Sequence, residues 1–412
     1  SRDAAPSNPA RSRPEPTRDR DEDTSAAPAP APAPAEKTLL VWTSGGLPAG
    51  LAEHVDAVEG VERVTVVRGD VVGLTASFDP RGQPIDLTDE GLRIPLDAIA
   101  VDPSTYPGFF DGEARARLRA LVPGEAVLGS TSAALRRIGP GGTLRLVNGA
   151  QLTVTAVVDD RAIGAAELVV HANSAEPVGI RTARFLLVGY TGDRALTEQA
   201  IAANAPGVAV RFRSPDETRY LRHGDLVLPQ ARIKQLFGEF AYRPGPDRFF
   251  TEDPVWEAEH IATATVPVLG PITCHRAVLP AIEGALRELE QRGLAALVDP
   301  AGYQGCWVPN EIPGGGISRH SWGVAIDVNF VANPTGLASF ADPRLVEVME
   351  RWGFVSGARF LAVDPGHFEY VGPPRVAPGQ RRPGQWSLAT WAKSFCGVNA
   401  NVARSTCQTN SW

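Results

Sequence analysis

The chain has 412 residues, 43% of them hydrophobic, and its 40 Lys and Arg stand against 47 Asp and Glu, a net charge of −7. That length predicts two or three domains. The mild acidity argues against a protein that binds the nucleic-acid backbone, because such proteins need a basic face. No stretch of the sequence approaches the ~18 apolar residues of a membrane span, and four cysteines are too few for a small disulfide-rich scaffold. We therefore expect no nucleic-acid partner and no transmembrane segment in this chain.

Residues 1–37 form a tail that is rich in proline and alanine and contains the run APAPAPAPA. Proline lacks the amide donor and favours an extended backbone, so this run predicts a semi-rigid polyproline-type spacer. Two interpretations stay open: a stalk that holds a folded body away from a membrane or wall, and a disordered end without a role.

Residues 38–222 contain the pattern strand, helix, strand twice. The first unit begins with the short apolar strand LLVW, and the second begins near Arg184 with FLLVGY. Two such units can pair into a ferredoxin-like sandwich. Between them lies a β-rich insertion with a hairpin signal at Asn148-Gly149 and a short helix over 130–137. The expected fold class of this region is α+β.

This layout resembles the periplasmic core domains attached to some bacterial ABC-type permeases. The resemblance implies an envelope protein partner that binds through residues 38–222. His54, His171 and His223 are isolated in this region, and a catalytic site needs convergent groups. We therefore expect these histidines to be structural or surface residues.

The sequence pattern over residues 223–374 predicts a second α+β domain, with a small antiparallel sheet and flanking helices. One helix places Leu279, Ile282, Leu286 and Leu289 on a single apolar stripe. A second begins at Asp342-Pro343, a pair typical of helix starts. Residues 375–412 then form a C-terminal tail.

The residues suited to catalysis lie in the segments GGGISRHSWGVAIDVNF and AVDPGHFEYVG. The alternation in VAIDVNF predicts a strand with Asp327 on its polar face, and the glycine before it lets His320 fold back to the same point. His367 begins another predicted strand, and a Pro-Gly turn can bring Asp364 beside it. Two histidines and one aspartate are suited to a catalytic zinc site with an open fourth position. Asp364 is suited to accept a proton from the activated water.

Two motifs around these residues resemble those of bacterial zinc peptidases, the VanY-like family of D-alanyl-D-alanine carboxypeptidases and L-alanyl-D-glutamate endopeptidases. The pattern S-x-H-x-x-G-x-A-x-D is matched by Ser318, His320, Gly323, Ala325 and Asp327, and D-x-x-H-F-E by Asp364, His367, Phe368 and Glu369. The resemblance spans roughly residues 225–374 and implies that Zn²⁺ is bound by His320, Asp327 and His367. It also implies Asp364 as general base and acid. Taken singly, each residue could instead form a surface ion pair or pack in the core.

The resemblance also implies roles for residues near the motifs. Ser318 is expected near the substrate, and Glu369 is expected to be a structural partner of the ligands rather than a catalyst. Relatives carry an arginine before the first motif that binds the tetrahedral oxyanion, whereas Asn310 stands at that position here. Asparagine brings no charge, so the change predicts weaker hydrolysis or another substrate. Arg319 or Arg359 could take the role.

The four cysteines form two local sets, Cys274 with Cys306 and Cys396 with Cys407. Four cysteines allow three pairings, and we expect the two local disulfides; the alternative is four reduced thiols. Disulfides are typical of an oxidising, exported location, where peptidoglycan also lies.

The sequence therefore predicts an extracytoplasmic bacterial zinc peptidase that hydrolyses peptidoglycan stem peptides. Two reactions stay open: removal of a terminal D-alanine and cleavage within the stem peptide, which D-P-G-H-F-E slightly favours. An alternative of another class is a non-catalytic zinc-containing module that binds peptidoglycan or regulates an envelope complex. A third interpretation makes residues 38–222 the working part, as an adaptor.

Overall fold

The computed structural model describes residues 36–225, 228–313, 315–336 and 341–373. The predicted proline-rich spacer and the C-terminal tail with Cys396 and Cys407 lie outside the described residues.

The elements predicted above are found among the described strands and helices, together with further elements that were not predicted. The strands are β1 (Lys37–Thr43), β2 (Val61–Phe78), β3 (Pro84–Leu87), β4 (Ile94–Val101), β5 (Glu125–Gly129), β6 (Thr143–Leu146), β7 (Gln151–Val158), β8 (Leu168–His171), β9 (Ala183–Tyr190), β10 (Val210–Arg213), β11 (Tyr242–Pro244), β12 (Phe250–Glu252), β13 (Ile261–Val266), β14 (Gly270–His275), β15 (Ala325–Asp327), β16 (Phe354–Ser356) and β17 (His367–Tyr370). The helices are α1 (Leu51–Asp56), α2 (Gly112–Arg119), α3 (Ser130–Arg136), α4 (Ala175–Val178), α5 (Arg194–Ala203), α6 (Gln230–Phe237), α7 (Pro254–His260), α8 (Leu279–Gln291) and α9 (Pro343–Arg351).

A ten-stranded sheet contains β1 to β10, and its order begins β10-β1-β9-β2-β4. The units β1-α1-β2 and β9-α5-β10 interleave in this order, and their neighbouring strands are antiparallel. This is the arrangement that a ferredoxin-like pair of β-α-β units requires. The strand β2 is long because its second half continues into the insertion, where it pairs with β4.

The β-rich insertion belongs to the same sheet. The order continues β4-β8-β5-β7-β6, and β6 also pairs with β2, so these strands close into a ring. The hairpin predicted at Asn148-Gly149 joins the antiparallel strands β6 and β7. The alternating apolar residues of the ring are buried together; among them are Val72, Leu74, Leu96, Ala98, Leu128, Leu144, Val154 and Val170.

The C-terminal part contains three small antiparallel sheets, β11-β12, β13-β14 and β15-β17-β16. The stripe predicted on α8 is buried at Ile282, Leu286 and Leu289. The helix α9 is capped by Asp342, whose carboxylate accepts a hydrogen bond from the Arg344 amide at 2.8 Å. The α+β class is confirmed. None of the described helices has the length and apolarity that a membrane span needs.

Four buried charges connect the two regions across the predicted boundary near residue 222. We call Arg136, Glu167, Lys234 and Glu239 the four-charge cluster. Arg136 donates two hydrogen bonds to Glu239, at 2.6 and 2.5 Å, and Lys234 lies 2.8 Å from Glu167. Since buried charges are tolerated only when paired, the cluster holds α3 and β8 against α6 and its C-terminal end.

Candidate metal centre

Two strands and one short helical turn carry the predicted ligands. Asp327 ends β15, His367 begins β17, and the two residues are directly paired in the antiparallel register. Directly paired residues lie on the same face of a sheet, with Cβ atoms about 4.5–5.5 Å apart. The 3₁₀ turn Arg319–Trp322 brings His320 to that face.

The turn that carries His320 is fixed at both ends. The Ser318 hydroxyl accepts a hydrogen bond from the His320 amide at 3.3 Å and so caps the turn. Gly323 ends it with φ 63°, and a Cβ at this position would lie 2.5 Å from the His275 amide nitrogen. Only glycine satisfies both conditions, so the motif's glycine lets the turn pack directly on β14.

Three ligand atoms converge at this point. His320 Nε2 lies 3.2 Å from His367 Nδ1 and 3.2 Å from Asp327 Oδ1, and His367 Nδ1 lies 3.0 Å from the same carboxylate oxygen. All three side chains are largely buried, with 11%, 10% and 21% of the side-chain surface exposed for His320, His367 and Asp327. Burial alone would raise the pKa of Asp327, but its hydrogen bonds with the two histidines hold that pKa well below the ordinary range.

These donors fit a zinc ion. Ligands at 2.0–2.2 Å around a tetrahedral ion lie roughly 3.3 Å from one another, and two imidazoles with one carboxylate are a known catalytic donor set. The Nδ1–H of His320 donates a hydrogen bond to the Cys306 carbonyl at 3.0 Å. With the proton on Nδ1, the lone pair of Nε2 is available to a metal and lies toward the ligand atoms of Asp327 and His367. The three residues therefore could hold one divalent ion.

A disulfide between Cys274 and Cys306 lies directly behind His320. It joins β14 to the segment that contains Gly305 and Cys306. The Cys306 carbonyl accepts the hydrogen bond from His320 Nδ1–H, and the Gly305 carbonyl accepts one from the Asp327 amide at 3.1 Å. The disulfide therefore supports the backbone on which two ligands rest.

Replacing both Cys274 and Cys306 by Ala should lower stability and weaken zinc binding. A cross-link between residues 32 positions apart contributes about 3–4 kcal/mol by restricting the unfolded chain, and loss of an outer partner of a ligand typically costs ~10–100-fold in metal affinity. Denaturant unfolding and competition with a zinc chelator measure the two effects. The double substitution Cys396→Ala/Cys407→Ala is the control. Unchanged stability and zinc affinity in the Cys274/Cys306 variant would contradict this role.

Asp364 lies in the turn before β17. Its carbonyl accepts a hydrogen bond from the His367 amide at 3.1 Å, which is the turn that Pro-Gly predicted, and its carboxylate accepts one from the Thr335 hydroxyl at 3.1 Å. Burial and, more weakly, the neighbouring Asp327 raise the pKa of Asp364, while His367 opposes the shift. A carboxyl with a raised pKa is suited to accept and return a proton.

Asn310 is attached to the same turn through its backbone. Its amide donates to the Ser321 hydroxyl at 3.1 Å, and its carbonyl accepts from the Ser318 amide at 3.0 Å. Its side-chain oxygen Oδ1 is buried and has no hydrogen-bond partner among the described residues. The structure thus places Asn310 and Ser318 beside the turn that carries His320, while their contact with a substrate stays a prediction.

The two arginines considered as substitutes are engaged elsewhere. Arg319 is buried and donates from Nε to Glu369 at 3.3 Å and from Nη2 to the Leu228 carbonyl at 2.7 Å. Arg359 has 64% of its side chain exposed and pairs with Glu350. Glu369 is fully buried, and Arg319 is its charged partner, so Glu369 joins the two ligand-bearing segments from behind.

Three groups near this site were not predicted from the sequence. The Cys306 carbonyl and the Thr335 hydroxyl left no motif, because backbone carbonyls are invisible in a sequence and hydroxyls are common. Tyr303 lies in the segment that pairs with Asp327, where burial, with a smaller contribution from that carboxylate, raises its pKa to about 12. In the sequence, only its position three residues before Cys306 pointed to Tyr303.

Three comparisons with known proteins gave different results. None of the curated proteins matches the chain. Among solved structures, the periplasmic region of MacB from Actinobacillus actinomycetemcomitans matches with 11% identity and a TM-score of 0.30, covering 44% of this chain and 90% of that one. The extracellular domain of the noncanonic ABC-type transporter YknZ from Gram-positive bacteria matches with 11% identity and a TM-score of 0.28, covering 43% of this chain and 98% of that one.

The family model described as D-alanyl-D-alanine carboxypeptidase matches residues 313–370, a stretch that contains all three converging side chains. Over these residues the chain is similar to that family, as the two motifs predicted.

Proposed function

We propose that the protein is a zinc-dependent peptidase that hydrolyses peptide bonds in the stem peptides of peptidoglycan. The proposal rests on one observation: three ligand atoms, His320 Nε2, Asp327 Oδ1 and His367 Nδ1, lie within 3.2 Å of one another. The match of residues 313–370 to a carboxypeptidase family supports the substrate class. The buried Cys274–Cys306 disulfide supports an extracytoplasmic location.

Each residue of the site has a distinct task in this reaction. His320, Asp327 and His367 would hold the metal. When bound, zinc would lower the pKa of a water to about 7 and polarise the carbonyl of the scissile bond. Asp364 would accept a proton from the attacking water and deliver it to the leaving amine. Glu369 and Arg319 would keep the two histidine-bearing segments in register.

A digest of defined muropeptides tests the proposal. The full chain is purified, its zinc content is measured, and it is incubated with stem tetrapeptides and pentapeptides. We expect about one zinc per chain. Free D-alanine identifies a carboxypeptidase, and larger peptide fragments identify an endopeptidase. Zinc-loaded protein that yields no product at high concentration would contradict the proposal.

Asn310 favours a second candidate, a non-catalytic zinc-containing module that binds wall peptide or regulates an envelope complex. Absence of one oxyanion donor costs about 2.7–4 kcal/mol in other enzymes, a factor of 10²–10³ in kcat. If the natural chain yields no product and Asn310→Arg gains hydrolysis, this second candidate is favoured. The envelope partner of residues 38–222 remains a prediction from their layout.

A further inference from the structure

The proposed hydrolysis needs a hydrogen-bond donor for the carbonyl oxygen of the scissile bond, which gains negative charge as water adds. The arginine that the family resemblance predicts is replaced by Asn310, an uncharged donor, and both arginines considered as substitutes bind other partners. A further donor beside the three ligands would compensate for the missing charge.

Tyr303 lies in the chain segment that pairs with one of these ligands, Asp327. It follows the 3₁₀ turn Pro300–Gly302 with an extended backbone, φ −74° and ψ 124°. The next two residues pair with Asp327: the Gln304 amide donates to the Asp327 carbonyl at 3.1 Å, and Gly305 forms an antiparallel bridge with Asp327. Gly305 has no side chain, so the space next to Asp327 on this segment is left to Tyr303.

The environment of Tyr303 suits a hydrogen-bond donor. Its side chain is partly buried and packs against the core that contains β15 and β17. A phenol has an ordinary pKa of about 10 and keeps its proton at neutral pH, and burial raises the pKa of Tyr303 further. Within the described residues, the hydroxyl forms no hydrogen bond that would divert it.

We propose that the Tyr303 hydroxyl donates a hydrogen bond to the oxygen of the scissile carbonyl as that oxygen becomes charged, in the role that an arginine fills in relatives. The inference rests on the proposed function. In the reaction a bond forms between the water oxygen and the carbonyl carbon, and the carbon–nitrogen bond breaks. Asp364 carries the proton from the water to the amine, while Tyr303 keeps its own proton throughout.

Tyr303→Phe removes the donor and keeps the ring. We expect kcat to fall by ~10²–10³-fold with KM nearly unchanged, since the bond forms only in the transition state. A second measurement uses phosphinate analogues of D-alanyl-D-alanine and of L-alanyl-D-glutamate, whose tetrahedral anions resemble that state. The affinity for the analogue that the wild type binds should fall by a similar factor, while zinc affinity stays at the wild-type value. Tyr220→Phe, which removes a tyrosine hydroxyl outside the site, is the control.

The outcomes separate this inference from the proposed function. Active wild-type enzyme together with Tyr303→Phe of equal kcat and equal phosphinate affinity would overturn the role of Tyr303 alone. Wild-type protein that binds zinc and the phosphinate without turnover would overturn hydrolysis, and the effect of Tyr303→Phe on phosphinate affinity would still decide the donor. Wild-type protein that binds no phosphinate would overturn both.

Discussion

His320→Ala should abolish stoichiometric zinc binding, whereas Asp364→Asn should retain zinc and lose hydrolysis. His320 supplies one of three ligand atoms and is held by the Cys306 carbonyl, so its loss leaves an incomplete donor set. This should cost more than the ~10–100-fold in affinity that loss of an outer partner causes. Asp364 is not one of the converging ligands, and removal of a general base costs ~10²–10⁴-fold in rate.

Zinc content after dialysis and the rate of muropeptide cleavage measure both effects on the same preparations. His171→Ala serves as the control, because this histidine lies at the end of β8 and binds the Asn173 amide. Full activity in Asp364→Asn would exclude it as the base. Full zinc content in His320→Ala would exclude the three-ligand site.

Arg319→Leu should lower the free energy of unfolding by about 3–5 kcal/mol, the usual cost of removing one partner from a buried ion pair. The substitution leaves Glu369 charged, fully buried and without its partner. Because Arg319 precedes His320 and Glu369 lies two residues after His367, zinc affinity should fall as well, by roughly 10–100-fold. Denaturant unfolding and chelator competition measure the two quantities.

Arg359→Leu is the matched control, since this arginine is exposed and its ion pair with Glu350 should contribute at most about 1 kcal/mol. The double variant Arg319→Leu/Glu369→Leu removes both charges and should recover much of the stability, as apolar replacements of buried pairs often do. Arg319→Leu with wild-type stability would show that the pair does not support the site.

The sequence was sufficient for features that depend on local pattern. The helix α8 followed from its apolar stripe, the β6–β7 hairpin from Asn148-Gly149, and the phase of Asp327 from alternation along β15. The approach of the three ligands could be anticipated because each motif carries its own turn: Gly323 closes the first, and Pro-Gly precedes His367 in the second.

Long-range pairing could not be read in the same way. Nothing local to β2 indicates that its second half leaves β9 to pair with β4 and β6. Lys234 and Glu239 look like ordinary surface residues in sequence, and only tertiary packing places them opposite Glu167 and Arg136. Arg319 was similarly ambiguous, because its partner Glu369 lies 50 residues away in the chain.

The four-charge cluster has a consequence for how this chain could evolve. The N-terminal region contributes Arg136 and Glu167, and the C-terminal part contributes Lys234 and Glu239, so the charges from each side sum to zero. The close ion pairs nevertheless join a residue of one region to a residue of the other, Arg136 to Glu239 and Lys234 to Glu167. A recombination event that joined the C-terminal part to a different sheet would leave Lys234 and Glu239 facing an unmatched surface in a dry environment. The two parts are therefore expected to be inherited together, and to change at these four positions only in concert.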